Sequence, residues 1–190
     1  MTSSHHTATF ADSIGSDTRT VFTDVGVTVN TINFANTMGG SYRLAGGPAY
    51  NLIASTSGTL PTLAVTGGSS HEFQASVSIH ADTTADIDGG STLIFNNALT
   101  LNGNMLTKSG TGEMAIRNDL LTNGGTVSIQ QGALSGNGTV SGDLTNDGGT
   151  ISPGNSLEAT SAVPEPGTWL LTAVGLLCLV AGYQRPRNSH

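Results

Sequence analysis

The chain has 190 residues, of which 36% are hydrophobic, 5% aromatic and 10% charged, with 26 glycines and a formal charge of −7. Such a length holds one folded body plus an appendage. The composition excludes a large aromatic core, the acidity makes nucleic acid an unexpected partner, and the single cysteine, Cys178, excludes a disulfide framework or a Cys-based metal site.

Abundant Gly, Thr, Ser and Asn favour an all-β fold of many short strands. Thr and Val suit a pleated surface, while Gly, Asn and Asp supply the turns. Intrinsic disorder is the competing reading, but it normally comes with high net charge and much Pro, Glu and Lys. This chain has six prolines and few charges.

Residues 1–6 are expected to be disordered. The first residues, "MTSSHHTATFADSIG", contain neither a charged n-region nor an apolar h-region, so no secretory signal peptide is visible. A strand pattern begins abruptly near Thr7. The expectation is a true start upstream of Met1, the alternatives being a fragment of a longer repeat protein or insertion driven by the C-terminal tail alone.

Residues 7–156 form the expected body. Glycine doublets recur at 39–40, 46–47, 67–68, 89–90, 124–125 and 148–149, and intervals of 21, 22 and 24 residues between them match one turn of a β-solenoid. The 35-residue interval from 89 to 124 breaks the period and leaves room for an extra strand pair around "TKSGTGEMAI".

Within "TNGGTVSIQQG" (122–132), Val127 and Ile129 alternate with Thr126, Ser128 and Gln130, which predicts a strand with an apolar inner face. "TNDGGTISPG" (145–154) echoes it and puts Ile151 at the position of Val127. The segments "TATF", "VTVNTINFAN", "STLIFNNALTLNGNMLTKSGTGEMAI" and "GTVSIQQGAL" resemble the autotransporter-associated β-strand repeat over most of residues 7–155. The predicted fold is therefore a right-handed, β-helix-like solenoid, with a β-sandwich as the alternative.

Catalytic motifs are sparse. "GTGEMA" (110–115) fits a relaxed GxGxxA but lacks a βαβ context and reads as a turn; no Walker, HExxH, GxSxG or EF-hand pattern occurs. His5, His6, His71, His80 and His190 have no metal-ligand spacing beyond the adjacent N-terminal pair. The densest carboxylate group is "HADTTADIDGG". There Asp86 and Asp88, two apart along a strand, would share a face and bind Ca²⁺ weakly, against the plainer reading of a solvated face or turn that also includes Asp82. With basic residues scattered over the body, no catalytic cluster is legible. Neither a cofactor nor an enzymatic activity is expected.

"LEATSAV" (157–163) has no periodicity and reads as a linker. Residues 167–183 then run without a charge, with Trp169 and Tyr183 near the two ends of the run, and are followed by Arg185 and Arg187. At ~1.5 Å per residue a helix here covers about 25 Å, the short end of what crosses a bilayer core. The aromatic rings suit the two interfaces, and the arginines place the C-terminus on the cytoplasmic side with the body outside. A buried core helix would be amphipathic, and this segment is apolar all round. Pro164 and Pro166 hold Glu165 in an extended, accessible conformation.

"VPEPGTW", an apolar helix and "RPR" at the extreme C-terminus together resemble the PEP-CTERM sorting signal, over about the last 27 residues. The resemblance implies that Pro164, Glu165 and Pro166 are the motif read by an exosortase, a membrane-embedded cysteine peptidase or transpeptidase. It implies that the helix retains the chain in the bilayer and that Arg185 and Arg187, split here by Pro186, form the stop. Residues 164–187 would be the sorting signal and 188–190 a short tail. The chain would be the peptidase's substrate, passing through the inner membrane to the cell envelope or the extracellular matrix.

Two functions are compatible with this sequence. One is a structural or adhesive surface protein; the other is a carbohydrate-binding or polysaccharide-degrading β-helix with the same tail, and surface polysaccharide is a candidate partner of either.

Overall fold

A computed structural model describes residues 6–54 and 58–154. The expected linker 157–163, sorting signal 164–187 and tail 188–190 lie outside the described residues, as do all but His6 of the expected N-terminal segment.

The described residues form a parallel β-solenoid of about six turns. In chain order its strands are β1 (Thr7–Phe10), β2 (Thr18–Thr23) and β3 (Val27–Val29) in the first turn, with a 3₁₀ turn at Asp12–Ile14. The second turn holds β4 (Thr31–Phe34), β5 (Ser41–Gly46) and β6 (Tyr50–Leu52); the third holds β7 (Thr62–Val65), β8 (Ser70–Phe73) and β9 (Val77–Ile79). The fourth holds β10 (Thr83–Ile87), β11 (Thr92–Phe95) and β12 (Leu99–Thr100). After β13 (Met105–Ser109) and β14 (Glu113–Ile116) come β15 (Leu120–Ile129), β16 (Ala133–Gly136), β17 (Val140–Asn146) and β18 (Thr150–Pro153).

Through the first four turns every third strand stacks on its predecessor, so each of those turns lays one strand on each of three faces. The second face is a seven-stranded sheet in the order β18-β16-β14-β11-β8-β5-β2. The first and third faces join into one eleven-stranded sheet because β15 and β17 each continue from the third face onto the first. β15 pairs with β12 through Leu120 and Leu121 and with β13 through Thr126–Ile129. All pairings are parallel, which sets aside the sandwich alternative, whose sheets would be antiparallel.

Register is clearest on the outside of the first face. Thr7, Thr31, Thr62, Thr84, Thr107, Ser128 and Thr145 stand in one row, each paired with the next. The steps between them are 24, 31, 22, 23, 21 and 17 residues. The long second step is taken up between β6 and β7. Spacing along the chain therefore varies while position in the stack does not.

Alternation sends the other side chains inward, where they form columns. Ile32, Leu63, Ala85, Lys108 and Ile129 follow one another on the first face. On the second face Leu44, Phe73, Phe95 and Ile116 do so, with Phe73 and Phe95 stacked at 5.3 Å and 11°. On the third, Tyr50, Val77, Leu99 and Leu120 align. Nearly all are fully buried, and each large apolar side chain so buried contributes roughly 1.5–3 kcal/mol. Few aromatics suffice because the buried rings contact one another.

Glycines mark the corners, but not one corner. Doublets 39–40, 67–68, 89–90 and 148–149 lie between first and second faces, 46–47 follows a second-face strand, and 124–125 lies inside β15. The 21-residue interval from 46 to 67 thus joins unlike corners. The apparent gap from 89 to 124 holds the ordinary strands β13 and β14, whose corner carries its glycines split as Gly110 and Gly112. The echo of "TNGGTVSIQQG" in "TNDGGTISPG" is likewise out of phase: Val127 stacks under Leu144 on the first face, whereas Ile151 stacks on Leu134 on the second. Val127 and Ile129 do point inward as the alternation predicts, both fully buried.

Buried polar groups tie the corners. The Asn36 side chain donates to the Gly15 carbonyl at 3.1 Å and accepts from the backbone N–H of Gly40 at 2.8 Å. Asn30 donates to the carbonyls of Ile53 and Thr59 at 3.0 and 2.9 Å. Backbone groups that the turning chain takes out of the ladder are satisfied in this way.

Candidate ligand-binding face

Outward positions of the second face carry a polar cluster that the sequence spacing hides. Register sets Arg43 of β5 beside Glu72 of β8. Beyond them on the same row stand Ile94 of β11 and Ala115 of β14. Arg43 Nε forms an ion pair with Glu72 Oε1. The Glu72 carboxylate also accepts from Gln74 Nε2 at 3.3 Å and from Asn96 Nδ2 at 2.6 Å. Asn96 Oδ1 in turn faces Arg117 Nη1 at 3.5 Å, just past the end of β14.

This network borders a cleft of about 240 Å³ lined by Thr18, Ser41, Arg43, Ser70, His71, Glu72, Ile94 and Arg117. Glu72 is largely covered, with 14% of its side chain exposed, whereas Arg43 keeps 48% and Arg117 is exposed. Cationic donors therefore meet solvent while the carboxylate between them is occupied in holding them. Arg19, in β2, lies in the same sheet and pairs with Asp17 at 3.5 Å. All three arginines of the described residues thus belong to this sheet or its end. The remaining cation, Lys108, is fully buried.

His71 lies beneath the cleft. Its Nδ1 accepts from the backbone N–H of Tyr42 at 3.0 Å, and its ring stacks on Phe34 at 4.6 Å and 12°. With Nδ1 an acceptor, the neutral ring carries its proton on Nε2, and that nitrogen has no hydrogen-bond partner. Burial depresses the pKa of His71 to about 4, because the charged ring would sit among aromatic side chains without a counter-ion.

Lys108 occupies an inward column position, its stem between Ala85 and Ile129. Its ammonium donates to the carbonyls of Ser109, Gly110 and Gln131, so its three protons meet three acceptors at the corner. Burial lowers its pKa and the nearby Asp86 charge opposes that shift.

Asp86 points outward from β10 and accepts from Ser109 Oγ at 2.9 Å. Asp88 follows the end of β10 in the turn to β11, and its carbonyl accepts from the Ser91 N–H at 3.0 Å. Among the described residues no group of three or more His, Cys, Asp or Glu is placed to hold a metal ion. The "GTGEMA" segment is a corner followed by β14. Pro164, Glu165, Pro166, Trp169, Tyr183, Arg185 and Arg187 lie outside the described residues. Among the described residues no helix is long and apolar enough to cross a membrane.

Along the chain the basic residues look scattered. Arg43, Glu72, Asn96 and Arg117 are 29, 24 and 21 residues apart, and only the unequal turn lengths bring them together. Comparison with known proteins gave no match to a family model, to a curated protein or to a solved structure.

Proposed function

We propose that this chain is an exported cell-surface or extracellular-matrix protein with a structural and adhesive role. Its body is a right-handed solenoid, and a C-terminal helix over 167–183 holds it in the inner membrane until an exosortase-type peptidase reads Pro164, Glu165 and Pro166. The observation that carries the role of the body is its stacking: successive turns pair strand on strand with closed aliphatic and aromatic columns inside and rows of hydroxyl side chains outside. A stack of this kind is stiff along its axis and presents a repetitive polar surface, which suits a spacer. The ordered motif, apolar run and arginines of the tail support the sorting step.

Intact mass of the protein from its native host tests this reading. Loss of everything after about Glu165, with the body recovered from the cell surface, is the expected result. A chain that still runs to His190 in cells with an active exosortase overturns the sorting step.

A second reading, carbohydrate binding, is favoured by the cleft bordered by Arg43, Glu72 and Arg117. Guanidinium donors, hydroxyls and one apolar side chain, Ile94, meet there on an open sheet face, a mainly polar lining that suits a ligand rich in hydroxyl groups.

A further inference from the structure

From the second face we infer that this cleft binds an acidic polysaccharide, a chain of carboxylate-bearing sugars lying along the solenoid axis, with Arg117 and Arg43 as its carboxylate-reading groups. The inference rests on the carbohydrate-binding reading of the same cleft and specifies its ligand.

Charge is the first argument. The described residues carry eleven Asp or Glu, yet two of their three exposed cations, Arg43 and Arg117, line this one cleft. Nine of those carboxylates lie outside the strands of the second-face sheet, and the two within them, Glu72 and Glu113, are engaged by Arg43 and by the Ser135 hydroxyl. An anionic chain is repelled from the carboxylate-rich parts and meets guanidinium donors in the cleft.

Orientation is the second. The cleft reaches from Thr18 of β2 across β5, β8 and β11 to the residue after β14, so it runs across the strands, along the stack. Arg43 and Arg117 are three strand spacings apart in the stack, roughly 14 Å between backbones, and between them lie the side chains of Ser70 and Ile94. A linear saccharide laid in this direction sets an apolar ring face on Ile94 and its hydroxyls on Ser70 and Ser41, while carboxylates on separate, non-adjacent residues of the chain meet the two guanidiniums.

Donor availability is the third. Of Arg43 only Nε is committed, to Glu72. The one hydrogen bond of Arg117, to Asn96, is long. Each fork retains paired N–H donors of the geometry that takes a carboxylate side-on. Glu72 is not an alternative reader, because Arg43, Gln74 and Asn96 already use its oxygens.

The test is calorimetric titration of the full-length protein, in non-ionic detergent, with a galacturonic acid hexamer. The same hexamer with its carboxylates methyl-esterified, the free monomer, and a glutamate hexamer complete the set. The expected result is saturable binding of the acidic hexamer alone, weakened about tenfold or more in Arg117→Gln, as loss of a charge-assisted contact predicts. The weakening should be larger still in Arg43→Gln/Arg117→Gln. Arg19→Gln, which removes the same charge on the other side of β2 from Thr18, should bind like the parent.

Equal binding of the esterified hexamer would leave the carbohydrate reading standing and overturn this inference. Equal binding of the glutamate hexamer would assign the cleft to an acidic peptide, and equal binding of the monomer would overturn the extended pose. If Arg19→Gln weakens binding as much as Arg117→Gln, general charge rather than the cleft is responsible. No binding of any saccharide removes both the second reading and the inference, whereas the sorting proposal is decided separately by mass.

Discussion

Acid should loosen this solenoid through one imidazole. His71 is 1% exposed, its Nδ1 is taken by the Tyr42 N–H, and its pKa is depressed to about 4 from 6.5 by burial. In the unfolded chain the same ring titrates near its ordinary value. Well above pH 6.5 both states are neutral and the ring contributes no pH dependence. As pH falls below about 6.5 the unfolded state takes up a proton that the native state refuses, so stability drops until about pH 4 and then levels. At about 1.4 kcal/mol per pKa unit, the difference between 6.5 and about 4 amounts to roughly 3–4 kcal/mol. Urea melts of the full-length protein, followed by circular dichroism from pH 7.5 to 4, would measure it against His71→Phe, which keeps a ring on Phe34 but cannot titrate. The variant loses the acceptor for Tyr42 and also removes the partnerless Nε2–H; both effects are independent of pH, and titrations elsewhere cancel in the difference. The stability of the wild type relative to the variant should fall by that amount across the window. A difference that stays flat from pH 6.5 to 4 would refute the reasoning, since it would mean that the buried ring accepts its proton as readily as a solvated one.

Lys108→Met keeps the buried stem but leaves the carbonyls of Ser109, Gly110 and Gln131 without their donor; a loss of about 1–3 kcal/mol in urea melts is expected after the lysine's own desolvation is relieved. Phe73→Ala opens the aromatic column between Leu44 and Phe95 and should cost about 3–5 kcal/mol by the same measurement. Two corner glycines with similar φ, +70° at Gly132 and +75° at Gly68, should respond differently to alanine. A Cβ at Gly132 would meet the Gly112 carbonyl oxygen at 2.2 Å, whereas at Gly68 nothing lies within 4 Å. Gly68→Ala should therefore cost about 1–2 kcal/mol, the left-handed backbone alone, and Gly132→Ala clearly more; equal melting shifts would show that stacking does not decide the corner.

Local chemistry is legible in the order of residues alone. Thr and Val alternation at Val127 and Ile129 announces a strand with one buried side, and glycine pairs announce turns, because both depend on neighbours one or two residues away. The same signals suggest a stack of turns. They do not reveal which corner a glycine pair occupies, so 46–47 and 67–68 look like one repeat although they end strands of different faces.

Register belongs to the folded stack. Parallel pairing joins residues 17 to 31 apart along this chain, and closing a longer loop costs only slightly more entropy than closing a shorter one. Turn lengths therefore drift without moving a side chain from its row, and spacing ceases to report position. That is why the Val127 and Ile151 echo misaligns and why Lys108, a cation in a polar "TKSG" segment, ends inside an aliphatic column with its charge on three carbonyls. It is also why Arg43, Glu72, Asn96 and Arg117, unremarkable at intervals of 29, 24 and 21 residues, become one cluster. Backbone preference and side-chain character are enough to set the alternation and the turns. Which distant residues share a face depends on the stacking of turns, because long-range hydrogen bonds and not local propensity align one turn on the next.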